Sequence, residues 1–263
     1  MSRKYSGQAI ARIKKRHELL DAIYTENKER ILSLLLFDHV DPDHSVTHKS
    51  DGCKKTITPL IAAVGKENSK LVWLLLERGA DINKCSGLDY HLPLFEAIHI
   101  QSVPMVQMLL NQQTLDQRLT NRDQDSALIF ACRNFEPKGN CLQIIQLLLD
   151  KGLIDPNHCN RFKRTALSYI CTKSLIATEY LLAAGTNTNI ADIYGDTPLL
   201  YTLTRFGEIK NTKGQAELLQ IATRMLELGA DPDHRSNSKL SARSWCKEHE
   251  LSFIIPPKKE SVL

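Results

Sequence analysis

Three histidines and one cysteine fall close together in the segment FDHVDPDHSVTHKSDGC and could bind a metal ion. They are His39, His44, His48 and Cys53. Imidazole and thiolate groups are the ligands that Zn²⁺ prefers, and four of them can complete a tetrahedral site. Their spacing matches no standard zinc motif. We therefore expect a solvated loop with no bound metal or cofactor, and a zinc site in this cluster is the alternative.

Signatures of common catalytic sites are absent from the sequence. It has no phosphate-binding glycine loop and no G-x-S-x-G, H-E-x-x-H or C-x-x-C motif. Cys132 and Cys171 fall at small-residue positions of predicted helices, which favours burial as small apolar side chains. Cys159 follows His158, but nothing orients the two as a nucleophile and its base. The sequence therefore predicts that the protein is not an enzyme.

Composition and charge are those of a globular protein in a reducing compartment. The chain has 263 residues, of which 42% are hydrophobic and 24% charged. No apolar stretch is long enough to span a bilayer. Seven cysteines without regular spacing suggest no disulfide framework, which predicts a cytoplasmic location. The net charge is +4, but basic residues are concentrated in residues 1–17, so the remainder is net acidic.

A short motif recurs along the chain and marks the elements that must position any site. Its copies are Thr58-Pro59-Leu60, Leu92-Pro93-Leu94, Ser126-Ala127-Leu128, Thr165-Ala166-Leu167, Thr197-Pro198-Leu199 and Ser241-Ala242-Arg243, at steps of 34, 34, 39, 32 and 44 residues. Threonine or serine caps a helix, and proline is tolerated in its first turn. Leucine-rich runs follow and end at Gly79, Gly152, Gly185 and Gly229, where a left-handed residue terminates a helix. Such helix pairs bury their apolar faces only by stacking on one another.

This pattern resembles the ankyrin-repeat family over roughly residues 17–250. The resemblance implies an all-α solenoid of helix–turn–helix units joined by β-hairpin-like loops, with about six to seven units including caps. It predicts a basic N-terminal arm at 1–16, a repeat domain at 17–250 and a tail at 251–263. The units are expected near 17–43, 54–83, 88–117, 121–157, 160–190 and 192–233, with a cap at 236–250. Insertions lie near 133–141 and 206–216.

The third unit departs from the pattern. Residues 111–116 read NQQTLD where the repeat pattern places Gly-Ala-Asp. Glu96 stands where other units place an apolar or aromatic residue facing the stack. A buried lone carboxylate is costly. We therefore expect Glu96 to have a partner or its helix to be shifted.

The resemblance also implies a binding surface, because the hairpin tips of the family line one edge of a concave face. The residues expected to contact a partner are Arg122, Arg133, Arg161, Phe162, Arg164, Lys173, Ile193, Tyr194, Asp196 and Arg205. Aromatic and arginine side chains together are typical of interface hot spots. We expect a protein partner that is acidic and has an exposed apolar anchor. Phe130, Tyr169 and Tyr201 are instead expected in the core.

The leading functional interpretation is a non-enzymatic, monomeric scaffold or adaptor that binds a partner protein on this concave face. One alternative is an ankyrin-type effector that an intracellular bacterium delivers into the host cytosol. Another, from a different class, is a metal-binding or enzymatic activity seated in the insertions. Nucleic-acid binding is disfavoured because the body is net acidic and offers few aromatic residues for base stacking.

Overall fold

The fold is mostly helical and repeats one helix pair, as the sequence predicts. A computed structural model describes residues 7–50, 53–87, 91–152, 154–251 and 254–255. The chain divides into two compact units, Met1–Arg122 and Asp123–Leu263. Most of the predicted tail, residues 256–263, lies outside the described residues. None of the described helices is both long and apolar enough to cross a membrane.

The first unit contains three helix pairs and a two-stranded hairpin. Its elements are α1 (Gly7–Tyr24), α2 (Lys28–Leu36), β1 (Val46–Ser50), β2 (Cys53–Ile57), α3 (Pro59–Gly65), α4 (Ser69–Glu77), α5 (Pro93–His99) and α6 (Val103–Leu110). The first helices pack in chain order, α1 on α3 and α3 on α5. The strands β1 and β2 are antiparallel. Each helix pair therefore covers the apolar face of its neighbour.

The second unit repeats this arrangement and adds a final helix. Its elements are α7 (Ala127–Arg133), α8 (Cys141–Asp150), α9 (Ala166–Ile170), α10 (Leu175–Ala183), α11 (Pro198–Glu208), α12 (Thr212–Glu227) and α13 (Ala242–Glu248). The first helices pack in the order α7, α9, α11, α13, and the second helices in the order α8, α10, α12. Leu167, Leu181 and Leu199 are fully buried between these layers.

The recurring motif is a helix cap. The Thr58 hydroxyl accepts a hydrogen bond from the N–H of Ile61 at 3.2 Å, and Thr197 does the same for Leu200 at 3.4 Å. Ser126, Thr165 and Ser241 cap their helices in the same way. These bonds satisfy backbone donors that a helix start leaves unpaired. The exception is Leu92, which has no side-chain cap.

The glycine stops have the backbone conformation that the sequence predicts. Gly79 has a φ of 86° and Gly229 a φ of 87°, and each follows the end of a second helix. In the third repeat, near residues 88–117, α6 ends at Leu110, and its C-cap residue Asn111 has a φ of −82°, as in an ordinary helix. That helix therefore ends without a left-handed residue.

The Glu96 carboxylate has the partner that the sequence requires. Its Oε2 lies 2.5 Å from His91 Nε2. Gly65 makes room for it, because a Cβ at that position would come within 2.7 Å of Glu96 Oε1. The expectation of a partner for Glu96 is confirmed.

Two segments differ from expectation. Helix α1 begins at Gly7, inside the segment predicted as an arm, because residues 7–16 continue the helix that carries the buried Leu19 and Leu20. Residues 46–50, inside the segment predicted as a solvated loop, form β1, which pairs with β2 (Cys53–Ile57).

Candidate functional site

Successive turns of the second unit are joined into a row by backbone hydrogen bonds. The N–H of Arg161 donates to the carbonyl of Asp123 and that of Ile193 to Phe162, both at 3.0 Å. The N–H of Asn237 continues the series to the carbonyl of Tyr194 at 2.9 Å. We call this surface the turn row, formed by residues 123–125, 160–164, 192–196 and 236–240. The bonds place side chains from separate repeats beside one another.

A buried polar side chain holds each of the two central turns. Asn160 Oδ1 accepts from the N–H groups of Phe162 and Arg164, both at 3.0 Å. Asp192 Oδ1 accepts from the N–H groups of Tyr194 at 2.8 Å and Asp196 at 3.1 Å. Such side-chain acceptors are typical of asparagine and aspartate in turns. The turns therefore have fixed backbones although they lie at the surface.

Gly195 fits the third turn for two reasons. Its φ is 77°, a left-handed conformation that other residues adopt at a cost. A Cβ there would also lie 3.0 Å from the Cα of Ser236 and 3.1 Å from the N of Asn237. Glycine thus permits the close approach of the third and fourth turns.

The most exposed apolar side chains of the row lie on the third turn. Tyr194 is 59% exposed and Ile193 is 41% exposed. Phe162, from the preceding turn, is half-buried, and the Arg161 guanidinium lies 5.0 Å from its ring centroid. The structure thus brings the three apolar tip residues together, with Tyr194 the more solvent-accessible ring.

Four of the arginines predicted to contact a partner are paired with carboxylates. Arg133 Nη1 lies 2.8 Å from both Asp123 and Asp125, and Arg161 lies 3.2 Å from Asp123. Arg164 Nε lies 3.1 Å from Asp192 Oδ2. On α11, Arg205 lies 2.8 Å from Glu208. Because each charge is compensated locally, these arginines do not create the positive field that the sequence suggested.

The other two basic residues predicted to contact a partner, Lys173 and Arg122, lie at different places in the fold. Lys173 Nζ donates to the carbonyl of Arg133 at 2.5 Å, close to the end of α7, and burial lowers the pKa of this ammonium. Arg122 is exposed and is the last residue of the first unit.

The aromatic residues expected in the core are only half-buried. The Tyr201 hydroxyl donates to Asp192 Oδ2 at 2.5 Å and accepts from Arg164. The Tyr169 hydroxyl accepts from Asn160 Nδ2 at 3.0 Å, and Phe130 is also partly exposed. Burial, followed by the hydrogen bond to Asp192, raises the pKa of Tyr201 well above its usual value. For the two tyrosines the core assignment was wrong, because a tyrosine hydroxyl requires a polar partner and the base of the turn row supplies one.

Sequence reasoning missed the buried polar groups under the row. Asp125, Asn160 and Asp192 are almost completely buried. Asn160 Nδ2 donates to Asp125 Oδ1 at 2.7 Å, which links two turns. A signal was present, because Asn160, Asp192 and Ser236 each lie five residues before a helix-capping residue.

Asp196 differs from the other carboxylates of the row. Its side chain is half-exposed and accepts no hydrogen bond or ion pair from the residues that the structure describes. Burial and then the neighbouring Asp192 carboxylate raise its pKa, while Arg164 opposes that rise.

The metal cluster of the sequence is only partly described. His44 Nε2 lies 3.3 Å from Arg16 Nη1, and burial lowers the pKa of His44. His39 has a left-handed φ of 48°. The side chains of His48 and Cys53 lie outside the described part of the structure. Among the side chains that are described, no three His, Cys, Asp or Glu residues are grouped to hold a metal ion.

The three cysteines discussed in the sequence analysis are all fully or partly buried. Cys132 and Cys171 are fully buried, which confirms their assignment to the core. Burial raises the pKa of Cys159, and Asp155 adds to that rise. His158 Nε2 lies 2.8 Å from the carbonyl oxygen of Gln124, with which it forms a hydrogen bond. These contacts do not activate Cys159, because the thiolate is the reactive form.

Comparisons with known proteins agree on one repeat type. The family model described as ankyrin repeats (3 copies) matches residues 60–158. The human transient receptor potential cation channel subfamily A member 1 is 31% identical over 112 residues, which are 43% of this chain and 9% of the channel. The chain therefore spans less than a tenth of the length of that relative.

Solved structures share the fold over most of the chain. The ankyrin repeat domain of Bcl-3, a member of the IkappaB protein family, has a TM-score of 0.71 at 20% identity, covering 91% of this chain and 98% of that one. An ankyrin repeat domain from Acinetobacter baumannii AYE has a TM-score of 0.64 at 22% identity, covering 74% and 93%. At these identities the likeness establishes the fold.

Proposed function

We propose that this chain, which belongs to the ankyrin-repeat family, is a non-enzymatic scaffold or adaptor that binds a partner protein on its turn row. Ankyrin repeats are generally protein–protein interaction modules. We also propose that the protein is a monomer and that it resides in the cytoplasm, the second point being supported by its cysteine usage.

The observation that carries the proposal is the exposed pair of Ile193 and Tyr194 on a fixed turn. Asp192 holds the backbone of this turn from beneath, and hydrogen bonds join it to the turns on either side. A rigid aromatic side chain loses little conformational entropy on binding. Aromatic residues in preorganised settings are also the commonest hot spots of interfaces.

The charge pattern refines the expected partner. The sequence favours an acidic partner because several arginines surround the apolar tips. In the folded unit, Arg133, Arg161 and Arg164 are bound to carboxylates of the turn row. We therefore propose that the apolar anchor on Tyr194 supplies most of the binding energy and that the arginines mainly fix the turns.

A truncation of the anchor tests this function. Partners captured from cell lysate by the wild-type chain should be titrated against Tyr194→Ala. We expect binding to weaken by about 2 kcal/mol or more, with little change in stability because the ring is exposed. Ile176→Ala is the matched control, since Ile176 is 58% exposed on α10 of the same unit. Equal losses for the two variants, or none for Tyr194→Ala, would contradict the proposal.

A further inference from the structure

One carboxylate of the turn row forms no ion pair with the described residues. Arg133 and Arg161 pair with Asp123, and Arg133 also contacts Asp125. Arg164 pairs with Asp192. Asp196 is the remaining acid, and no described side chain donates to it.

Asp196 lies on the same turn as the exposed apolar residues. The N–H groups of Tyr194 and Asp196 both donate to Asp192 Oδ1, so that one buried carboxylate fixes both positions. Asp192 itself has a fully buried side chain, with Arg164 and the Tyr201 hydroxyl on its Oδ2. A group arriving from solvent would therefore meet Asp196 rather than Asp192.

The environment of Asp196 favours an incoming cation. Burial and the neighbouring Asp192 carboxylate raise the pKa of Asp196 by more than Arg164 lowers it, so the ionised form is incompletely stabilised in the free protein. A positive charge nearby would stabilise that ionised form. An incoming anion would be repelled by Asp196, and Arg164 could reach that anion only by giving up its ion pair with the buried Asp192 carboxylate, which is costly.

We propose that Asp196 receives a lysine or arginine of the partner, beside an apolar side chain that packs on Ile193 and Tyr194. This inference rests on the proposed function and reverses the partner charge that the sequence suggests. The partner segment is thus a short basic–apolar stretch rather than an acidic one. Two features favour such a segment. The partly exposed Asp196 carboxylate complements a positive charge, and the apolar side chains of the same turn offer a contact for an apolar residue.

A peptide display experiment tests this inference without a known partner. A randomised peptide library is selected on the full-length wild-type chain, and the recovered peptides are titrated against Asp196→Asn and Tyr194→Ala. We expect recovered peptides to carry lysine or arginine next to an aromatic or aliphatic residue. Binding to Asp196→Asn should weaken by about tenfold or more, the usual effect of losing a hydrogen bond to a charged group. Asp150→Asn, an exposed acid at the end of α8, is the control and should bind like wild type.

The outcomes separate this inference from the proposed function. Peptides that lose affinity for Tyr194→Ala but keep it for Asp196→Asn would overturn the basic anchor and leave the docking surface standing. Recovery of acidic peptides that bind the turn row would also overturn the basic anchor. Peptides that bind Tyr194→Ala as tightly as wild type, or a library that yields no binder, would overturn both.

Discussion

Asp192 illustrates how a buried carboxylate is accommodated in this fold. Its side chain is fully buried, a position that would be very unfavourable for an isolated charge. One oxygen accepts two backbone N–H groups, and the other contacts Arg164 and the Tyr201 hydroxyl. Fully satisfied networks of this kind rigidify their surroundings. In the sequence these partners are far apart. Arg164 was therefore predicted to contact a binding partner and Tyr201 to lie in the core, although both belong to this network.

Asp196 lies four residues after Asp192. Its contribution to the free energy of unfolding should change with pH in the opposite sense from that of a paired carboxylate. Its pKa is raised above the ordinary aspartate value of 3.8, first by burial and then by Asp192. The folded chain therefore holds this proton more tightly than the unfolded chain. The free energy of unfolding consequently falls as the pH rises from 3.8 through the raised pKa.

Asp196→Asn should abolish the fall in the free energy of unfolding that ionisation of Asp196 causes, and so stabilise the chain at neutral pH. Urea titrations should give the variant a higher midpoint than wild type at neutral pH. The difference should shrink as the pH is lowered to below 3.8, where the wild-type carboxyl is protonated in both the folded and the unfolded state. A lower midpoint for the variant at neutral pH would mean that ionised Asp196 is already well stabilised. The case for a cation from the partner would then lose its physical basis.

At the scale of elements, local chemistry was predictable and contacts between turns were not. The capping role of Thr58 and Thr197 follows from neighbouring residues, and a short motif is sufficient to reveal it. By contrast, Arg164 and Asp192 are separated by 28 residues. Whether a tip arginine meets solvent or a carboxylate of the next turn depends on how adjacent repeats are aligned, which composition alone does not specify.

The third turn offers a direct test of the close approach within the row. Gly195 and Gly185 have similar left-handed φ angles, 77° and 78°. A Cβ on Gly195 would lie 3.0 Å from the backbone of Ser236, whereas nothing lies within 4 Å of one on Gly185. Gly185→Ala should cost about 1 kcal/mol of stability, the usual penalty for the left-handed conformation. Gly195→Ala should cost clearly more.

Urea denaturation measures the two costs, and hydrogen exchange locates them. Exchange at the N–H of Asn237, which donates to Tyr194, should accelerate in Gly195→Ala and remain unchanged in Gly185→Ala. Equal stability losses for the two variants would indicate that the approach of the turns relaxes without cost. The turn row would then be less rigid than its hydrogen bonds indicate.

For the whole chain, the repeated helix pair could be predicted from the sequence, but the division into two compact units could not. The spacing of the capping motif predicts stacked pairs, because no single pair buries its own apolar face. The sequence was interpreted as one repeat domain from 17 to 250, and these boundaries stay a prediction. Contacts within the chain are densest inside Met1–Arg122 and inside Asp123–Leu263. The insertions and the irregular third repeat interrupt the period of the sequence, but they do not indicate a division into two compact units.

Repeat arrays are stabilised mainly by contacts between neighbours, so damage should stay local. Leu181 on α10 and Leu75 on α4 are both fully buried, which makes them a matched pair. Alanine at either position should cost about 2–5 kcal/mol through the lost contacts and the cavity.

Native-state hydrogen exchange should then distinguish the two variants by location. Leu181→Ala should lower protection in α10 and in α8, α9 and α12, the helices that pack on it. Protection in α3 and α4 should stay as in wild type, because the stability of a repeat array depends on contacts between neighbouring repeats. Leu75→Ala should give the reverse pattern. A uniform loss of protection in both variants would mean that the chain opens as one cooperative body. In that case the opening free energy would be a property of the whole array, and a partner bound at the turn row would stabilise every repeat equally.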